Sequence, residues 1–236
     1  MIILVVDTSG DKGTIAIGSR SRIFGEISLD MTMSHLPKTI PTLDYLLHSS
    51  GMSLSQIDIL SVVTGPGSWS GIRIGVTLIK SIAHVLNKPI VPLCSLDVLA
   101  FHLCWTHMPV YTLIDAARKQ IYYAIYSCKQ NTPVRIHEPE LISIQNFSSK
   151  IDCPSVLIGN GVLLLQKHSE KELYNNHFMA PYYHSLPAML LVKAGFYFYD
   201  KNFSVHAHDL IPLYLQQSDA ERNFDIWQKQ DLKKGS

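Results

Sequence analysis

No stretch of the 236-residue chain approaches the roughly 20 consecutive apolar residues that a membrane-spanning helix needs. Charge is scarce too. Asp, Glu, Lys and Arg make up 17% of the residues, with 20 basic against 19 acidic side chains and a formal charge of +1. A protein that grips a polynucleotide unaided carries a basic surplus, because phosphate contacts supply most of the affinity. The balance here makes nucleic acid an indirect partner rather than a sole ligand. Cysteine is rare, and Cys94, Cys104, Cys128 and Cys153 contain no C-x-x-C pair. Their spacing suits neither a zinc knuckle nor a disulfide framework, so free buried thiols in a reducing cytoplasm are expected. Residues 1–7 lack the basic lead of a secretion signal and meet a carboxylate at Asp7, which predicts a buried strand and a cytoplasmic protein. What is abundant is apolar: 47% of the residues are hydrophobic, enough for a full core.

Residues 2–6 form a continuous apolar run, the pattern of a strand covered on both faces. Strands are expected at 14–18 and 23–29. Leu36, Ile40, Leu43 and Leu47 then recur at helical spacing, with Pro37 suited to the first turn and Pro41 expected to kink or loosen it. Next come a strand at 59–63, a helix at 72–86, a strand at 90–93 and a helix capped by Ser95. The second half starts again. The strand at 110–114 ends in Asp115 as the first ends in Asp7, and Ala16-Ile17 and Ala124-Ile125 each begin nine residues after the aspartate. A strand at 121–126, another at 156–158, a helix at 162–167 and a longer helix at 186–199 follow. The pattern predicts an α/β protein of two similar lobes facing a cleft. Residues 1–107 form the first lobe, completed by the helix near 186–200, and residues 108–217 the second. No Pro-, Gly- or Ser-rich linker separates them, so the boundary is a hinge near 107–109. Residues 218–236 form a tail.

The densest signal is the run from Thr64 through Gly65, Pro66, Gly67, Ser68, Trp69, Ser70 and Gly71 to Gly75. A strand enters, glycines and a proline shape the turn, and a helix leaves. Such a turn is either structural, with Ser68 or Ser70 as helix cap, or a cradle of N–H groups for an anion. It is no Walker loop, lacking Gly-Lys-Ser/Thr, and no hydrolase elbow, since Trp69 stands where a serine nucleophile is required. Arg73, Thr77, Lys80, Ser81 and His84 share one narrow arc of the helix behind it. The remaining arc is apolar and wider than one sheet covers. The surplus side meets either another part of the same chain or a second chain.

Gly65-Pro66-Gly67-Ser68-Trp69-Ser70-Gly71-Ile72-Arg73-Ile74-Gly75 resembles GPGSFTGLRIG, the hallmark of the TsaB (YeaZ) family. Asp7-Thr8-Ser9 is similar to that family's opening DTS, and Ser95-Leu96-Asp97-Val98-Leu99-Ala100 to its SLEALA. Asp115-Ala116-Ala117-Arg118 with Ile121-Tyr122 resembles DARMGEVY, and Pro212-Leu213-Tyr214-Leu215 its closing PVYLR. The resemblance implies a fold of two duplicated lobes of the actin/Hsp70/sugar-kinase-like type. It also implies a non-catalytic subunit of the complex that transfers threonylcarbamoyl to the adenosine beside the anticodon of tRNA. In that role the chain supports a TsaD-like catalytic subunit, a TsaE-like ATPase completes the set, and tRNA is met indirectly. TsaD carries a metal-binding His-x-x-x-His where this chain has Cys94 to Val98 without a histidine. No metal and no tightly bound cofactor are therefore expected, while ATP is used by the complex. Family members pair with TsaD, and with themselves when isolated, through first-lobe helices. Val76, Ile79, Ala83 and Leu86 are the expected interface residues here. The alternative is an ATP-binding ATPase or kinase acting alone, with Asp7, Thr8, Ser9, Gly65, Gly67 and Ser68 as cofactor-binding residues. Asp7 and Asp115 stand at matching strand ends, as that alternative asks, but no convincing general base accompanies them. His102, Cys104 and His107, and the His206-Ala207-His208-Asp209 run, lack metal-ligand spacing.

Overall fold

In the computed structural model the described residues are 1–30, 36–151, 153–168, 177–180 and 186–216, so the tail lies outside them. The first lobe opens with β1 (Ile3–Asp7), β2 (Lys12–Gly18) and β3 (Ile23–Asp30). It continues through α1 (Leu36–Ser50), β4 (Ile59–Gly65), α2 (Trp69–Leu86), β5 (Ile90–Cys94) and α3 (Ser95–Ala100). The second comprises β6 (Val110–Asp115), β7 (Gln120–Lys129), β8 (Thr132–Ser143), α4 (Ile144–Phe147), β9 (Ser155–Ile158), α5 (Gly161–His168) and β10 (His177–Ala180). The helix α6 (Ala188–Asp200) follows.

The strands form two five-stranded sheets, ordered β3-β2-β1-β4-β5 and β8-β7-β6-β9-β10. In each, the first three strands in sequence pair antiparallel and the last two add parallel. The hairpin is one residue shorter in the second lobe, where Asp115 pairs with Ile121 while Asp7 pairs with Thr14. One order and one set of directions, used twice, make this a duplicated α/β fold of the actin/Hsp70/sugar-kinase-like type.

Strand β1 is buried on both faces, as its unbroken apolar run requires. Leu4 and Val6 face an outer core with Leu43, Leu46 and Leu47 of α1 and Ile72, Val76, Ile79 and Ala83 of α2. Ile3 and Val5 face an inner core shared by both lobes. There α3 and α6 lie between the sheets, with Leu96 and Leu191 among side chains from β6 and β7. A third core, around Tyr123, Phe147 and Leu165, joins the outer face of the second sheet to α4 and α5.

The structure departs from the sequence reading at several points. Helix α1 continues through Pro41, and its buried stripe is Thr39, Leu43, Leu46 and Leu47, so Ile40 sits one position off it and is exposed. Cys94, not Ser95, is the N-cap residue of α3, and the Ser95 hydroxyl donates to the Pro66 carbonyl at 2.6 Å. Strand β8 was not expected: it carries Pro133 and Pro139, which a strand tolerates only at a sheet edge. The sequence division gives residues 108–217 to the second lobe, yet the segment after α6 runs back over the first. Val205 exchanges backbone hydrogen bonds with Ile90, Leu213 N–H donates to the Thr64 carbonyl at 2.8 Å, and Leu210 enters the outer core.

Candidate functional site

The glycine-rich turn between β4 and α2 is fastened to the turn after β1. Ser68 N–H donates to the Ser9 carbonyl at 2.7 Å, and the Thr8 hydroxyl donates to the Gly71 carbonyl at 2.6 Å. Ser68 caps α2, its hydroxyl accepting from Gly71 N–H at 3.3 Å. A Cβ on Gly67 would run into the Ser9 carbonyl, and one on Gly71 into the Thr8 carbonyl. Glycine is needed at these positions so that the two turns can touch. Asp7, Thr8, Ser9, Gly67 and Ser68 therefore do come together, and Gly65 lies beside them against the Leu213 carbonyl. The contacts just described join two turns of the same chain and occupy N–H groups that an anion cradle would use.

Asp7 is buried at the floor of this junction. Its Oδ1 accepts from Ser9 N–H at 2.9 Å and from the Ser9 hydroxyl at 2.7 Å. Asp115 repeats the turn in the second lobe, its Oδ1 accepting from Ala117 N–H at 2.7 Å, but at an exposed position. Burial raises the Asp7 carboxyl above its ordinary range, more than the Ser9 hydrogen bonds lower it. Because the folded value lies above the unfolded one, the protonated form favours the fold. That contribution is full below about pH 4 and is lost as pH rises through the folded value. Asp7→Asn keeps an acceptor for Ser9 without the buried charge. It is expected to raise the thermal midpoint by a few °C, roughly 2–4 °C per kcal/mol, at pH 8 and to change it little near pH 4. Melting curves at the two pH values check this.

Helix α2 has three sides. Gly71, Ile72, Gly75, Val76, Ile79 and Ala83 face its own sheet, with Ile79 at 0% exposure. This corrects the expected interface: Val76, Ile79 and Ala83 are core, because they sit on the arc centred on Ile72. The polar side is partly covered by the returning segment. Lys80 Nζ donates to the Leu210 carbonyl at 3.1 Å, and Arg73 Nε to the Tyr214 hydroxyl at 3.0 Å. Tyr214 also stacks on Trp69 with ring centroids 3.9 Å apart. The third side is apolar and only partly covered, with Leu78 and Ile82 still packed against the outer core. Ile74, Leu78 and Ile82 are half-buried and follow one another at four-residue spacing, with Leu86 half-buried nearby and Val85 beside them 80% exposed. The wide arc is legible in the sequence, but where the sheet ends within it is not, since both halves are aliphatic.

Between the lobes, α3 and β8 are joined by an ion pair. Arg135 donates to the Asp97 carboxylate through Nε at 3.1 Å and through Nη2 at 2.6 Å, and Tyr126 of β7 donates its hydroxyl to the same carboxylate at 2.6 Å. Arg135 Nη1 reaches Glu138 at 2.6 Å. These residues line a cavity of about 530 Å³ that is also walled by α6 and the segment after it. No sequence motif announces the cluster, because its members come from separate elements. Among the described residues, no three of His, Cys, Asp and Glu gather as metal ligands would, and no helix is long and apolar enough to cross a membrane.

A family model described as TsaD, tRNA N6-adenosine threonylcarbamoyltransferase, matches residues 29–224. The tRNA threonylcarbamoyladenosine biosynthesis protein TsaB of Bacillus subtilis is 27% identical to this chain over 97% of its length and 100% of the relative's. TsaB of Haemophilus influenzae is 22% identical, with 97% of each chain covered. Among solved structures, YeaZ from Pseudomonas aeruginosa superposes with a TM-score of 0.77 at 20% identity, covering 91% of this chain and 99% of that one.

Proposed function

From the premise that the chain belongs to the TsaB (YeaZ) branch of the threonylcarbamoyltransferase family, we propose that it is a partner subunit in tRNA threonylcarbamoyladenosine biosynthesis, supporting a TsaD-like catalytic subunit rather than doing the chemistry itself. The observation that carries this reading is the partly covered apolar side of α2. Ile74, Leu78, Ile82 and Val85 form a stripe on a helix whose other sides already meet the sheet and the returning segment. Such a stripe is stabilised when another apolar helix covers it. A TsaD-like paralogue supplies that helix in the complex, and a second copy of this chain supplies it in isolation. A TsaE-like ATPase consumes ATP in the assembled complex, and tRNA is held chiefly by the other subunits, given the net charge of +1. Asp7, Thr8, Ser9, Gly67 and Ser68 act as a structural junction that fixes the start of α2.

The test separates the sides of the helix. Val85→Glu and Ile74→Glu are expected to keep the far-ultraviolet circular dichroism spectrum of the parent. Both should weaken pairing with the TsaD-like subunit, and self-association, by a hundredfold or more, since a carboxylate buried unpaired in an apolar contact costs several kcal/mol. Ile79→Glu is expected to unfold the first lobe instead. Sedimentation of the mixed subunits reads the outcome. Normal pairing by both folded variants would remove α2 from the interface.

A further inference from the structure

The cavity between the lobes lies at the β5 end of the first sheet, where Thr64, Pro92 and Cys94 meet α3, α6 and β8, and the proposed subunit role makes no use of it. Its volume, about 530 Å³, is within the range of roughly 300–1,000 Å³ typical of small-molecule sites. One wall is aromatic. Tyr197 and Phe198 of α6 stand edge to face at 5.2 Å, and Phe203, 57% exposed, lies 6.0 Å from Phe198. Another part of the lining is polar. Arg135 spends Nε and Nη2 on Asp97 and gives one Nη1 hydrogen to Glu138 Oε2 at 2.6 Å. Among the described residues, nothing accepts the second Nη1 hydrogen and nothing donates to Glu138 Oε1. The lining therefore holds a donor next to an acceptor, the donor held by its bonds to buried Asp97, together with apolar rings.

Charge narrows the ligand further. Asp97 and Glu138 are each −1 and Arg135 is +1, which sums to −1 for the wall. Burial keeps the Cys94 thiol and the Tyr126 hydroxyl neutral, pushing the thiol up to about 12 and the hydroxyl well above its ordinary value. A phosphate or carboxylate would meet a net negative wall whose single guanidinium is already largely committed. A neutral planar heterocycle with an acceptor next to a donor on one edge meets no such penalty, and its faces can rest on the aromatic wall. We infer that the cavity is a binding site for an unphosphorylated nucleoside. The base pairs edge-on with Arg135 Nη1 and Glu138, and it packs against Phe198 and Phe203.

Calorimetric titration of the full chain with adenosine, guanosine, AMP and the trinucleotide ApApA tests this. Adenosine or guanosine should bind saturably, and AMP and ApApA should bind at least tenfold more weakly than adenosine. Glu138 is 80% exposed at its side chain, so Glu138→Ala and Phe203→Ala should keep the parent's thermal midpoint. Each should weaken nucleoside binding about tenfold, the scale of one charge-assisted hydrogen bond or one stacked ring. Three results would overturn the proposal: no saturable binding of either nucleoside at millimolar concentration, tighter binding of AMP or ApApA than of adenosine, or parent-like binding by both folded variants. None of them touches pairing through α2, so the two readings fail separately.

Discussion

Gly71→Ala is expected to leave the first lobe unable to fold, while Gly10→Ala, in the turn that Gly71 touches, is tolerated. The added methyl at Gly71 runs into the Thr8 carbonyl, which is main chain and cannot rotate away. Thr8 is also tied to Gly71 itself through its hydroxyl at 2.6 Å. Making room means parting the two turns, which breaks that bond and the one from Ser68 N–H to Ser9 at 2.7 Å, and uncovers Asp7. Overpacking that side chains can absorb costs about 1–3 kcal/mol. Here backbone must move, so the loss should exceed that range and approach the whole of a marginal stability. At Gly10 the nearest atom to an added Cβ is 3.6 Å away, an ordinary contact. Soluble yield and urea unfolding of the two variants check the contrast. A cooperative, parent-like transition for Gly71→Ala would show the turns to be separable.

Arg135→Met should cost about 3–5 kcal/mol, the usual penalty for leaving a buried carboxylate without its cation. Asp97 is buried and would keep only the Tyr126 hydroxyl, at 2.6 Å. At roughly 2–4 °C per kcal/mol for a chain of this size, the thermal midpoint should fall by about 6–20 °C. The cause is the stranded charge rather than lost attraction, and that makes a second expectation. Removing all three polar groups together, as Asp97→Leu with Arg135→Met and Tyr126→Phe, should restore most of the loss. If the triple variant is no more stable than Arg135→Met, the pair contributes through its attraction instead. Differential scanning calorimetry of the variants decides.

Features that rest on neighbouring residues were legible in the sequence. The unbroken apolar run of β1 announced a strand buried on both faces, and the recurrence of aspartate, turn and strand announced the duplication that the two sheet orders display. The cap of α2 was readable as Ser68 or Ser70, because capping is a contact over three residues, and the structure assigns it to Ser68. Features that depend on distant residues were not. Ser95 looks like a cap and is instead a donor to Pro66, and β8 hides behind its prolines because nothing local marks it as an edge. The partly covered side of α2 differs from its core side only in what lies opposite. Isoleucine and valine occur on both, so burial had to be seen to tell Ile79 from Val85. The Asp97–Arg135–Tyr126 cluster joins three elements and leaves no spacing to find.

The path of the chain after α6 bears on the order in which the protein is made. The first sheet begins at Ile3, yet its inner face is closed by Leu191, Val192 and Ala194, and its outer core by Leu210. A ribosome adding roughly 5–20 residues per second exposes the N-terminal strands many seconds before those side chains emerge. The half translated first is thus the half completed last. During that interval β1, which has no polar face, depends on whatever apolar surface is at hand. Slowing elongation between β5 and α6 should therefore lower the soluble yield more than an equal delay after residue 216.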